Sequence, residues 1–300
     1  MRLRLLREEE KILCRTPVPV KHGSLSSAMG AHTSNEAGSN IEFNEYAQYV
    51  VGDELKNIDW KVAAKSERYY IKKYHDDKTI RGYIMLDHSA SMLSFTQNRK
   101  KKTPADYRRF QTAVYVAFYL SNLYYLNKES LGFFSFADKN TQQIATSSAA
   151  ATFQHINSAL SALKTENAVT DYRRSFADMA AALIPGSEIY IISDFYCRPE
   201  QLNDVLKPFF IKKVSITLFN IIDASELNLD RFLKGNDYYF IDRETRDSIY
   251  FNAALFKSRY KETVVKHLNA LKSFCQSKRI RYVPVVTSRP VFKQFLGIVQ

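Results

Sequence analysis

Cysteine is scarce in this chain and forms no pattern. The three cysteines, Cys14, Cys197 and Cys275, are odd in number, far apart and make no Cys-x-x-Cys pair. A disulfide framework and a cysteine zinc site are therefore not expected, and a reducing cytoplasm is the expected compartment. Long apolar runs are missing too. The longest, residues 113–126, carries four tyrosines, a serine and an asparagine, so it is too short and too polar to span a bilayer. The opening MRLRLLREEEK has charges and no apolar stretch, and no signal peptide is expected there. Neither a Gly-x-Ser-x-Gly elbow nor a Gly-x-x-x-x-Gly-Lys-Ser/Thr loop occurs, which removes two common catalytic and phosphate-binding signatures. Glycine (9) and proline (8) are few and 45% of residues are hydrophobic, so disorder is not expected over most of the length.

What is present is positive charge. Lysine and arginine number 43 against 31 acidic residues, a net charge of +12. Such a balance suits an anionic partner, and a lysine-rich solvated surface explains it as simply. The densest basic cluster, residues 99–102, falls on an expected loop, and no specific nucleic-acid partner is implied.

The stretch that organises the chain is residues 83–92, YIMLDHSASM. It reads as a buried strand ending in Asp87, followed by a tight loop that presents Ser89 and Ser91. One carboxylate and two hydroxyls within five residues make a hard-oxygen cluster, which suits a hard divalent cation such as Mg2+, or Ca2+ or Mn2+. Downstream, Thr170 lies just before a helical run and Asp194 ends a second apolar strand, EIYIISD. In this order the five residues resemble the metal-ion-dependent adhesion site of von Willebrand factor A domains. The resemblance implies Ser89 and Ser91 as direct hydroxyl ligands and Thr170 as another, directly or through water, with Asp87 and Asp194 acting mostly through water and hydrogen bonds. A metal held so keeps its electrophilic character and can take a partner's carboxylate as its last ligand. His88 reads as an exposed loop histidine. Asp171 and Asp178 read as helix-start and surface residues.

Residues 1–40 read as a short helix and a polar loop, residues 41–80 as a β-rich segment, and residues 81–300 as the main domain. In the second segment, Gly52-Asp53 marks a turn. Asp53 and Asp59 read as turn caps that pair with Lys61, Lys65 or Arg68. Trp60, the only tryptophan, reads as a core anchor. The series Glu42, Tyr49-x-x-Gly52-Asp53, Ile58-Asp59-Trp60-Lys61, Ala64-Lys65, Tyr74 and Leu86-Asp87-x-Ser89-Ala90-Ser91-Met92 resembles the bacterial and archaeal domain-of-unknown-function family 58. Ala47 stands where an arginine is usual, Lys65 where the family has arginine, and Asp76-Asp77 where glutamates are usual. A role that needs a planar guanidinium is therefore not carried over to those positions. The resemblance implies a von Willebrand A-like domain that accompanies a MoxR-type AAA+ ATPase, or that ATPase's client, in assembling other proteins.

The rest alternates between helix and strand. A helix over 105–127 has Phe110, Val114, Ala117, Phe118 and Ser121 on one face. Further helices are expected over 153–163, 175–184, 199–210 and 254–277, and strands over 130–136, 189–194, 214–222 and 281–287. A hairpin is expected around RETRD. The alternation implies an α/β fold with a mainly parallel sheet, helices on both faces, and a ligand site outside the carboxyl ends of the strands. Asp87 and Asp194 both occupy such ends. Ser161-x-x-Lys164 and Ser258-x-x-Lys261 match a serine–lysine nucleophile pattern by chance on expected helices. No enzymatic activity is expected. The alternative reading is a basic, metal-dependent nucleic-acid-binding or hydrolytic protein, although a two-metal hydrolase wants several carboxylate ligands.

Overall fold

The computed structural model describes residues 3–19, 41–49, 58–60, 62–63, 69–76, 80–93, 108–138, 140–166, 172–227, 229, 237–241 and 248–299. The chain forms two compact units, one of residues 1–26 with 80–300 and one of residues 27–79.

The larger unit is built on a six-stranded sheet. Its strands are β3 (Arg81–Asp87), β4 (Ser130–Phe136), β5 (Asn140–Ser147), β6 (Glu188–Ser193), β7 (Ser215–Ile222) and β10 (Arg281–Val286). The spatial order is β10-β7-β6-β3-β4-β5. All neighbours are parallel except β5, which turns back antiparallel on β4. Counted by appearance within this sheet and read from the β5 edge, the order is 3-2-1-4-5-6. That is the doubly wound order, with its switch point between β3 and β6.

The residues of β3 show why the strand sits at the centre. Ile84 and Leu86 belong to a core on one face of the sheet, and Tyr83 and Met85 to a second core on the other. A strand covered on both faces needs an unbroken apolar run, and YIML supplies it. The first face is covered by α2 (Arg108–Leu126), α3 (Ala150–Ala162) and α8 (Val291–Val299). The second is covered by α4 (Tyr172–Ala182), α5 (Pro199–Ile211) and α7 (Ala253–Ser277). The five residues expected on the inner face of α2 are all buried. Its burial extends further, to Arg109, Thr112, Val116, Leu120 and Tyr124, because α3, α8 and α1 (Arg7–Leu13) also pack against it. The α1 helix is fixed by Leu13, which is fully buried in the first core, and by the Tyr119 hydroxyl, which donates to Glu9. A short helix, α6 (Ala224–Leu227), follows β7. The expected hairpin is present as β8 (Asp237–Ile241) paired antiparallel with β9 (Ser248–Asn252).

Gly82 is where the sheet and α2 come closest. A Cβ there would lie 2.4 Å from Cζ of Tyr124, whose hydroxyl is bonded to that of Tyr190 at 3.0 Å. The ring is fully buried and cannot give way. Gly82→Ala should destabilise the domain by about 1–3 kcal/mol through overpacking. Urea unfolding measures this, and an unchanged midpoint would contradict the packing.

The smaller unit carries β1 (Ile41–Gln48) and β2 (Tyr70–Asp76), paired antiparallel with an irregularity between Phe43 and Glu45. Asp59 acts as the expected cap: its Oδ1 accepts from the Val62 amide at 3.3 Å. Gly52, Asp53, Lys61, Lys65 and Arg68 lie outside the described residues. Trp60 is not the core anchor expected from its size. It is 63% exposed, with its ring edge-on to exposed Tyr69 at 6.2 Å. The neighbouring Ile58 and Asp59 take the inward positions instead. Trp60→Ala should therefore cost about 1 kcal/mol or less, the scale of one aromatic pair. A fall in melting temperature of ten degrees or so, as for a buried tryptophan, would place the ring in a core.

Candidate functional site

At the switch point, β3 ends in Asp87 and β6 ends in Ser193, followed by Asp194. Asp87 is fully buried. Its Oδ1 accepts from the Ser89 amide at 2.9 Å, which folds the loop back over the strand end, and its Oδ2 accepts from the Ser193 hydroxyl at 2.7 Å. Having given its proton to Asp87, the Ser193 hydroxyl accepts from the Tyr172 hydroxyl at 3.0 Å and from the Phe195 amide at 3.2 Å. Burial, then the nearby Asp194 charge, push the Asp87 carboxyl up to about 7, against hydrogen bonds that favour the ionised form.

The loop after Asp87 is a single 3-10 turn, Ala90–Met92. It brings the Ser89 and Ser91 hydroxyls to 3.0 Å. Two oxygens on adjacent corners of an Mg2+ octahedron, each about 2.1 Å from the metal, also lie about 3.0 Å apart. The two hydroxyls are hydrogen-bonded to each other at that distance, and the same spacing lets both oxygens reach one small hard cation. Among the described residues no three His, Cys, Asp or Glu side chains group to hold a metal.

Thr170 and Asp171 lie outside the described residues. The described residues on either side of them, Glu166 and Tyr172, are both tied to this end of the sheet. The Glu166 amide donates to the His88 carbonyl at 2.8 Å, and Tyr172 reaches Ser193. Asp178 is a surface residue, as expected. His88 is not the exposed residue expected, being only 1% exposed. Its amide donates to the Phe136 carbonyl at 3.0 Å and its carbonyl accepts from the Glu166 amide, so it is held between the end of β4 and the segment that ends at Glu166. Burial lowers its pKa, opposed by Glu166.

Asp194 has an unexpected partner. Arg109, buried near the start of α2, donates from one terminal nitrogen to Asp194 Oδ2 at 3.2 Å and to the Ser91 carbonyl at 2.7 Å. Its other terminal nitrogen bonds Glu226 Oε1, and its guanidinium lies 5.4 Å from the centre of the Tyr196 ring. The Tyr196 hydroxyl donates to the second Glu226 oxygen. Burial opposes the Arg109 charge, but Glu226 and Asp194 outweigh it and hold its pKa above the ordinary value. Asp223, just after β7, is buried as well. Its Oδ1 accepts from the Ser225 amide and hydroxyl, while its Oδ2 has no hydrogen-bond partner among the described residues.

Nothing in the sequence marks Arg109, because its neighbour Arg108 is exposed and the two look alike in the helix. Asp223 did carry a signal: Asp223-x-Ser225 at a strand end repeats the form of Asp87-x-Ser89. Phe195, between Asp194 and Tyr196, takes a left-handed backbone (φ 51°). Its buried ring and the His267 contact to its carbonyl at 3.0 Å hold it there against a strain of roughly 1 kcal/mol or more.

The same charges reach Cys197. Burial, then Asp194 and Asp87, push its thiol up to about 12, and burial alone does the same for Cys275. Cys14 is exposed. At pH 8 a thiol-reactive dye should label exposed Cys14 fast, partly exposed Cys197 slowly and buried Cys275 only on unfolding. Fast labelling of Cys197 would contradict the electronegative setting assigned to it.

A doubly wound sheet with an antiparallel third strand, and a hydroxyl-bearing loop at its switch point, defines a von Willebrand A-like domain. Residues 45–270 match the family described as protein of unknown function DUF58, and the chain belongs to that family. It is similar, at 16% identity and TM-score 0.44, to an aerotolerance-related membrane protein from Bacteroides fragilis, over 73% of this chain and 98% of that one. The conserved hypothetical protein BatB from Bacteroides thetaiotaomicron is similar at 14% identity and TM-score 0.42, over 73% and 98%. The SpRpn10 VWA domain is similar at 14% identity and TM-score 0.40, over 73% and 94%. No curated protein matches the chain. Among the described residues no helix is long and apolar enough to cross a membrane.

Proposed function

We propose that this chain is a non-catalytic docking module of the cytoplasm whose switch-point loops hold one divalent cation, Mg2+ in preference to Ca2+ or Mn2+. Ser89 and Ser91 would hold it directly and Thr170 directly or through water, with Asp87 and Asp194 supplying charge. The bound cation would offer an open position to an acidic side chain of a partner, a MoxR-type AAA+ ATPase or its client. The observation that carries this reading is the 3.0 Å approach of the Ser89 and Ser91 hydroxyls beside the buried Asp87. The net charge of +12 supports an acidic partner, since it would speed encounter and make association salt-sensitive. The test is capture from native lysate by wild type and Ser89→Ala/Ser91→Ala, each with Mg2+ or EDTA. An ATPase recovered only by wild type with Mg2+ is the expected result. The same partners in all four samples would remove the cation from docking.

A further inference from the structure

Asp194 is claimed twice at this site. The cation reading asks it to supply negative charge to a metal, yet its Oδ2 is already held by Arg109. The same guanidinium nitrogen holds the carbonyl of Ser91, whose own hydroxyl is one of the proposed ligands. A positive charge so placed repels an incoming cation and neutralises one of its two carboxylates. The cluster also contains what the arginine would need in order to let go. Glu226 anchors the other terminal nitrogen, and Tyr196 lies against the guanidinium. Asp223 is 2% exposed, its charge acts on Arg109, and its Oδ2 has no hydrogen-bond partner among the described residues. A buried carboxylate oxygen with no donor is costly, and a donor that reaches it only in a second state would explain why it is kept.

We propose that Arg109 is the positioning residue that sets cation affinity here, its guanidinium holding Asp194 in the cation-free state and passing to Asp223 when a divalent cation takes Asp194. The inference rests on the cation reading above. It makes the site self-neutralised at rest, so that a cation binds well only when a further anion joins it. A partner's carboxylate is such an anion. Metal and acidic partner then bind cooperatively, because the partner restores the charge that Arg109 withholds.

The experiment is a calorimetric titration of the full chain with Mg2+, using wild type, Arg109→Met, Asp223→Asn and the double variant. Removing a unit positive charge beside the site should tighten Mg2+ binding by about tenfold or more. Asp223→Asn keeps the acceptor for Ser225 but removes the second resting place for the guanidinium, so it should weaken binding by about threefold or more. In the Arg109→Met background the same Asp223→Asn change should have little effect, because no guanidinium remains to move. Equal or weaker Mg2+ binding by folded Arg109→Met overturns the proposal. So does an Asp223→Asn effect of the same size in both backgrounds, which would mean plain loss of charge. Should Arg109→Met not fold, wild type and Asp223→Asn still decide, since unchanged affinity in Asp223→Asn overturns the transfer. Absence of Mg2+ binding in wild type and every variant overturns the cation reading itself, a result distinct from the others.

Discussion

Replacing Arg109 with methionine should destabilise the cation-free protein by about 3–5 kcal/mol, the scale for removing one member of a buried ion pair. For a domain of this size that is a fall in melting temperature of about 10 °C. The cause is not lost attraction alone. Asp194, Glu226 and Asp223 are all nearly or fully buried, and among the described residues Arg109 is the cation paired with Asp194 and Glu226 and acting on Asp223. Without it their carboxylates must stay charged in a poorly solvated place or take up protons. The Ser91 carbonyl would also lose its donor. Two further measurements separate this account from a simple packing defect. Glu226→Gln added to Arg109→Met should recover part of the loss, since one of the stranded charges is gone. Mg2+ should stabilise Arg109→Met more than it stabilises wild type. A loss below about 1 kcal/mol, the ordinary surface scale, would mean that the cluster is not closed around Arg109.

The second large effect concerns Asp87. In wild type, Mg2+ at about a hundredfold excess over its dissociation constant should add up to roughly 2.7 kcal/mol of stability. Asp87→Ala should gain none. Asp87 shapes the site in two ways at once: Oδ1 fixes the turn through the Ser89 amide, and Oδ2 orients Ser193 and, through it, Tyr172. Truncation removes a charge near the cation and also frees the turn that brings Ser89 and Ser91 together. Thermal melts with Mg2+ and with EDTA give the comparison. A stabilisation by Mg2+ in Asp87→Ala equal to that of wild type would place the cation elsewhere in the chain.

The expectations that failed have a common cause. Trp60 was expected inside because it is large and apolar, and His88 outside because it stands in a polar loop. Both depend on what packs over the position. For Trp60 the inward positions went to Ile58 and Asp59. For His88 the backbone bonds to Phe136 and Glu166 hold the residue between two neighbouring segments. Which segments pack over a position is settled by the tertiary structure, and composition does not register it.

The sequence by itself determined the alternation of helix and strand, the parallel sheet, and the strand-end positions of Asp87, Ser89, Ser91 and Asp194. These depend on short-range patterns: an apolar run buried on both faces, a carboxylate where it stops, and hydroxyls two and four residues later. The tertiary structure alone decided what surrounds Asp194. Arg109, Tyr196, Asp223 and Glu226 come from the start of α2, the loop after β6, the residue after β7, and α6. They meet because the doubly wound order brings the carboxyl ends of β3, β6 and β7 side by side and lays the start of α2 among them. Charge pairing of this kind acts through space between residues up to 117 positions apart, and no local spacing encodes it.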